Sequence, residues 1–181
     1  MIRAAFMVLS VSLLAGCAGS EVWRDRNAPI AAVDSVDLTR YAGTWYEIAR
    51  FPVWFQEDCA GVTAKYALRE DGRVDVVNTC REGGLDGPVR SADAIARAVD
   101  DTNAKLKVNF AAPLPFEGDY WVLYLDEDYQ VAVVGSPGGQ GGWILSRTPQ
   151  IEADRLEAAR GALAANGYDV GRLTFTEQPA G

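Results

Sequence analysis

The chain has 181 residues, 49% of them hydrophobic, which suits one domain with a sizeable core. Its 25 acidic and 17 basic side chains give a formal charge of −8, which excludes a basic surface for nucleic acid and argues against electrostatic docking on anionic lipid. There is no histidine, so a His-based triad and a His-ligated metal site are excluded, no metal or cofactor is expected, and an odd number of cysteines (17, 59 and 80) needs an explanation.

Residues 1–3 make a short cationic start, and residues 4–14 an apolar run too short for a comfortable bilayer span. The run ends in Leu14-Ala15-Gly16-Cys17, which resembles the lipobox of bacterial lipoproteins; an ordinary signal peptide with a coincidental cysteine is the alternative. The resemblance implies that residues 1–16 are a removed signal peptide and that Cys17 is acylated. Each buried methylene contributes about 0.8 kcal/mol, so two or more chains anchor stably where one does not. Ala18 stands where lipoproteins kept in the inner membrane commonly carry Asp. By resemblance this implies the bacterial outer membrane, with a lipid-anchored domain facing the periplasm. Cys59 and Cys80 would then lie in an oxidising compartment, where a disulfide persists. Residues 17–36, the lipidated cysteine followed by Gly, Ser, Asn, Pro and charge, read as a tether.

Asp37-Leu38-Thr39-Arg40-Tyr41 reads as one helical turn. A first strand is predicted over 44–51, where Tyr46 and Ile48 are β-formers, Trp45 takes the other face and Pro52 stops continuation. Gly43, two residues before Trp45, lets the backbone pack close while the indole fills the space beside it; alone, this pattern fits a core tryptophan after a turn equally well. Further strands are predicted over 61–68, 73–80, 90–99, 105–110, 119–126, 131–135 and 143–147. Asp71-Gly72 predicts a type I′ hairpin, and the glycine-rich residues 136–142 read as a mobile loop. A helix is predicted over 151–166, with Leu156, Ala159 and Leu163 on one stripe and Asn166-Gly167 at its end, before a last short strand over 173–177. Eight short strands and one helix argue for an all-β fold, an eight-stranded antiparallel up-and-down barrel with the helix packed outside; a β-sandwich is the competitor.

Three places resemble the lipocalin family, in particular its bacterial outer-membrane lipoprotein and apolipoprotein D-like members. They are Gly43-Thr44-Trp45, the strand ending in Arg147 before the helix, and Leu125-Asp126-Glu127-Asp128-Tyr129. The last departs from the family's Thr-Asp-Tyr hairpin by a Leu and an extra residue. The resemblance implies a lipocalin domain over 37–181 whose barrel can hold one small ligand. Alternating strand directions then bring Arg147 to Trp45 at the closed end, making Gly43, Trp45 and Arg147 structural. The same alternation sets Cys59 and Cys80 at the opposite rim as a disulfide, with two buried free thiols as the alternative.

Period two gives the inward sets Trp45, Glu47, Ala49; Ala64, Tyr66, Leu68; Val74, Val76, Asn78; Leu106, Val108, Phe110; and Trp143, Leu145, Arg147. Tyr120, Val122 and Tyr124 are taken as inward by resemblance. In 90–99, either the alanines at 92, 94, 96 and 98 or the alternate residues face in. The expected ligand contacts are Ala49, Tyr66, Val76, Asn78, Val108, Phe110, Tyr120, Val122 and Trp143. Such a lining suits an acyl chain, and the resemblance implies a fatty acid or lysophospholipid and a part in envelope maintenance. Trp54, Phe55 and Phe116 are expected at the rim, guiding lipid from the membrane or forming a homodimer face. Two rivals remain: a scaffolding lipoprotein with a filled barrel, and an enzyme using Glu47 as general base. Against the enzyme stand the lack of a G-x-S-x-G pattern and three cysteines with other duties.

Overall fold

Strand-length runs of alternating residues, joined by short turns, build one antiparallel sheet that closes on itself. The computed structural model describes residues 21–110 and 116–180; the expected signal peptide and the acylated Cys17 lie outside the described residues. A single helical turn, α1 (Leu38–Tyr41), precedes β1 (Gly43–Arg50), β2 (Cys59–Leu68), β3 (Val74–Glu82) and β4 (Val89–Ala98). The barrel continues through β5 (Lys105–Phe110), β6 (Glu117–Leu125), β7 (Val131–Gly135) and β8 (Gly142–Ser146), followed by α2 (Ala153–Ala165) and β9 (Thr174–Phe175). From β1 to β8 each strand pairs with the next, and β8 pairs back onto β1, which closes an eight-stranded barrel; β9 adds to β1. The β1 start and the β8 end mark one end of the barrel; Cys59 and Cys80, with Cα atoms 5.4 Å apart in a disulfide, mark the other.

Two apolar clusters result. Inside the barrel are Trp45, Ala64, Tyr66, Val74, Val76, Ala94, Ala96, Leu106, Val108, Val122, Ala132, Val134 and Leu145. The alanines of β4 therefore face in. Outside, Ala159 and Leu163 of α2 pack with Ile48, Leu123, Val131, Val133 and Ile144. Because β7 lies between lumen and helix, all five of its residues are buried.

The register shifts at three places: in β2 between Ala60 and Thr63, and at two bulges, in β1 and β6, that change which residues face in. In β1 the register against β8 shifts between Glu47 and Ala49, so Ile48 and Ala49 both face the outer cluster. Ala49 is thus not a lumen residue, because the bulge turns its side chain into the outer cluster. In β6 a shift between Val122 and Tyr124 puts Tyr124 outside and Leu125 inside. Leu68, at the end of β2, is exposed.

Three further expectations are corrected. Only Gly72 of the β2–β3 turn has positive φ; the Gly72 amide donates to Arg69 at 3.1 Å, which makes a type I turn followed by a left-handed glycine rather than a type I′ turn. Residues 21–36 are no loose tether. The Trp23 amide donates to Gly139 at 2.8 Å, Arg24 donates to Asn166, Pro137 and Ala28, and the Val36 amide reaches Thr102. Trp23, Arg24 and Val36 are buried. The same contacts tie down residues 136–142, whose Ser136 amide also donates to the Tyr168 hydroxyl at 2.8 Å.

The disulfide spans a sequence separation of 21 residues, for which loop-closure entropy contributes ~3 kcal/mol. Replacing both cysteines by serine is expected to lower the urea-unfolding free energy by about that amount, read from the midpoint together with the slope, which rises as the unfolded chain loses its cross-link.

Candidate functional site

The closed end is built on one guanidinium. The Arg147 head lies 3.9 Å from the Trp45 ring centroid. It donates to the carbonyls of Tyr129 (3.2 Å), Thr44 (3.0 Å), Arg40 (2.7 Å) and Tyr41 (3.2 Å). The fixed fork of five donors allows one side chain to hold α1, β1 and the β6–β7 turn together. Gly43 accommodates it: its φ is +99°, and a Cβ there would meet the Arg147 Nη1 at 3.3 Å. Trp45 is fully buried, and its indole donates to Tyr41 at 2.8 Å. In the departing hairpin, the Asp126 carboxylate accepts from the Gln130 and Val131 amides while Tyr129 takes φ 59° beneath Arg40.

Above this floor three tyrosines meet. The Tyr120 hydroxyl lies 2.7 Å from that of Tyr41 and 2.9 Å from that of Tyr66. Burial pushes the Tyr66 hydroxyl up to about 12 and those of Tyr41 and Tyr120 well above their ordinary value, so all three are neutral donors. Three protons serve two bonds within the trio, which leaves one O–H for another acceptor.

Val76 lines the lumen level with Tyr66, Val122 below Tyr120 and Val108 above it, with Phe110 and Trp143 half-buried against the same cluster. Asn78 is half-buried on the same face of β3, opposite Ala64 and Ala92. At the mouth the rings form a series. Phe110 stacks on Phe116 at 4.7 Å between centroids, Phe116 approaches Phe55 at 6.3 Å, and Phe55 meets Trp54 edge-on at 5.6 Å. Of the expected contacts, the structure gathers Tyr66, Val76, Asn78, Val108, Phe110, Tyr120, Val122 and Trp143 on the lumen side and sends Ala49 outside. An open groove of about 590 Å³ lies elsewhere, between residues 21–25 and the end of α2.

Glu47 has a structural setting. It is buried, and Thr176 donates to it at 2.5 Å, Gln56 at 3.0 Å and Arg50 at 3.4 Å. Gln56 also accepts the Trp143 indole N–H at 3.2 Å. This network fills the seam where β1 and β2 diverge. There β9 pairs with Ala49 and Arg50, and Gln178 donates to the Glu47 and Val62 carbonyls. Burial raises the Glu47 carboxyl above the usual carboxylate range, although Thr176, Arg50 and Gln56 pull it down. Sequence reasoning missed Tyr41, Gln56 and Thr176, which carry no periodic signal; only the position of Tyr41, in a turn at the floor, was visible. Among the described residues no three His, Cys, Asp or Glu side chains are grouped to hold a metal ion.

A closed floor, one mouth and an apolar lumen define a binding barrel. The sequence profile described as a lipocalin-like domain matches residues 36–178, and the chain belongs to the lipocalin family. It is 40% identical over 152 residues to temperature-induced lipocalin-1 of Arabidopsis thaliana, covering 81% of each chain. It is 35% identical over 178 residues to the outer membrane lipoprotein Blc of Vibrio cholerae, covering 97% of this chain and 99% of that one. Among solved structures, lobster apocrustacyanin A1 superposes with a TM-score of 0.68 at 18% identity, over 90% of this chain and 94% of that one, a likeness of fold.

Two outcomes follow from this geometry. Arg147→Ala orphans several carbonyls and uncovers Trp45, so it is expected to cost roughly 2–4 kcal/mol in denaturant unfolding, with Arg147→Lys recovering little of it. An unchanged midpoint would refute the floor contact. Because the folded state raises the Glu47 pKa, native protein holds more protons than unfolded protein between the ordinary carboxylate value and the raised one. Glu47's contribution therefore favours folding below that window and is lost as pH rises through it. Urea midpoints across pH 4–7 are expected to decline less steeply with pH in Glu47→Gln than in the parent.

Proposed function

We propose that this chain is a lipid-anchored bacterial lipocalin that binds a fatty acid or lysophospholipid in its barrel, held at the outer membrane through acylated Cys17 with the domain facing the periplasm. The carrying observation is the ring series Trp54–Phe55–Phe116–Phe110, which runs from an exposed side chain at the rim to a lining of Val108, Val76, Ala94 and Ala96. Alanines on the lumen face of β4 spare space for an acyl chain, and burying that chain supplies about 25 cal/mol per Å² before association costs. The remaining O–H of the tyrosine trio suits an oxygen acceptor on the ligand. Blc of Vibrio cholerae is named an outer membrane lipoprotein, which supports the same placement here. Envelope maintenance fits a lipid carrier at that site, and carriage rather than turnover fits Glu47, whose carboxylate is taken up by Thr176, Gln56 and Arg50.

Titrating the protein with a single-chain lysophospholipid is expected to change tryptophan emission saturably at one lipid per chain. Ala94→Phe, which sets a second ring opposite Phe110 in the lumen, is expected to abolish the change while near-ultraviolet circular dichroism remains native. A native parent protein that responds to neither lipid class would favour the filled barrel.

A further inference from the structure

The N-terminal segment gives the barrel an orientation. Trp23 is fastened at the open end: its amide donates to Gly139 in the β7–β8 connection, its indole to Pro52 beyond β1 at 3.1 Å, and its ring stacks with Phe51. Arg24 holds Pro137 in the same connection at 2.9 Å. From there the chain descends to the floor, where the Val36 amide donates to Thr102. Cys17 precedes Val22 by five peptide units, a reach of about 17 Å at full extension. The 10 residues of β2 rise ~33 Å along the strand, roughly 25 Å of barrel height at the usual tilt. An anchor on Cys17 therefore reaches the mouth and falls short of the floor.

A second observation points the same way. Among the described residues, five of the seven exposed large hydrophobic side chains lie at the open end: Val22, Trp54, Val89, Phe116 and Phe175, with Trp54 66% exposed. Leu68 and Val99 lie at the other end. The apolar rim and the start of the chain are thus on one side of the molecule.

We infer that the open rim, with Trp54 and Phe116 foremost, docks on the surface of the bilayer that holds Cys17, so that the mouth opens onto the membrane. This rests on the acylated Cys17 of the proposed function and adds how the barrel stands on its anchor. With a net charge of −8, docking draws on apolar and aromatic contact with the interface rather than on charge. A lipid leaving the bilayer then meets Trp54, Phe55, Phe116 and Phe110 in turn, with little exposure of its chain to water.

The test uses the full acylated chain, extracted from membranes and reconstituted in phosphatidylcholine–phosphatidylethanolamine vesicles carrying a lipid doxyl-labelled near its headgroup. The mass of the N-terminal peptide first establishes acylation. Doxyl lipid is expected to quench the tryptophan emission, and Trp54→Phe, an apolar exchange at an exposed site, is expected to remove at least half of that quenching while leaving the urea-unfolding midpoint unchanged, with lysophospholipid titration of the parent protein read separately. Quenching unchanged by Trp54→Phe in an acylated protein would overturn the docking and leave lipid binding standing. Cross-linking that finds Trp54 covered by a second copy would overturn it in favour of a dimer face. An unacylated Cys17 would overturn both the anchor and the orientation.

Discussion

The Arg147 guanidinium is the constraint on which the barrel's single opening depends. It lies against Trp45 and reaches four carbonyls from α1, β1 and the β6–β7 turn. These carbonyls belong to segments that end the sheet ladder, so without a shared donor they would compete for water at the floor. Gly43 is what allows the approach, through its positive φ and its missing Cβ. With the floor closed, the remaining access is at the end where the disulfide joins β2 to β3 and where the aromatic series lies.

The wall has a weak line of its own. β1 and β2 pair directly only from Gly43 to Tyr46; beyond that, bulges in both strands separate them. The C-terminal segment enters this gap through β9, Thr176 and Gln178, and the buried Glu47–Arg50 pair finds partners there in Thr176 and Gln56, while the Arg50 Nε has none. Gln56 in turn fixes the Trp143 indole, so the seam and the upper lumen share one polar network. A buried ion pair contributes little by itself; its use here is to hold the rim turn Trp54–Gln56 against the barrel.

Much of this was legible because strands and turns leave local signals. Period-two runs and their turn residues located all eight barrel strands, and the stripe of Leu156, Ala159 and Leu163 located α2. The topology that follows from them also sets Arg147 beside Trp45. Bulges leave no such signal, since a shift of one residue changes the face without changing composition; Ala49 and Tyr124 were misplaced for that reason. Residues 21–36 have the composition of a linker, yet Arg24 bonds to a residue 142 positions away. Long-range partners of this kind, like Thr176 for Glu47, are visible only once the chain is folded.

Lipid occupancy of the lumen is the claim that joins the closed floor, the small residues of β4 and the apolar mouth into one account. Native mass spectrometry of the chain from residue 18 onward, with extraction of any bound species, tests it most directly. The account predicts one fatty acid or lysophospholipid per chain. A chain that emerges empty, and remains empty after incubation with both lipids, would contradict it.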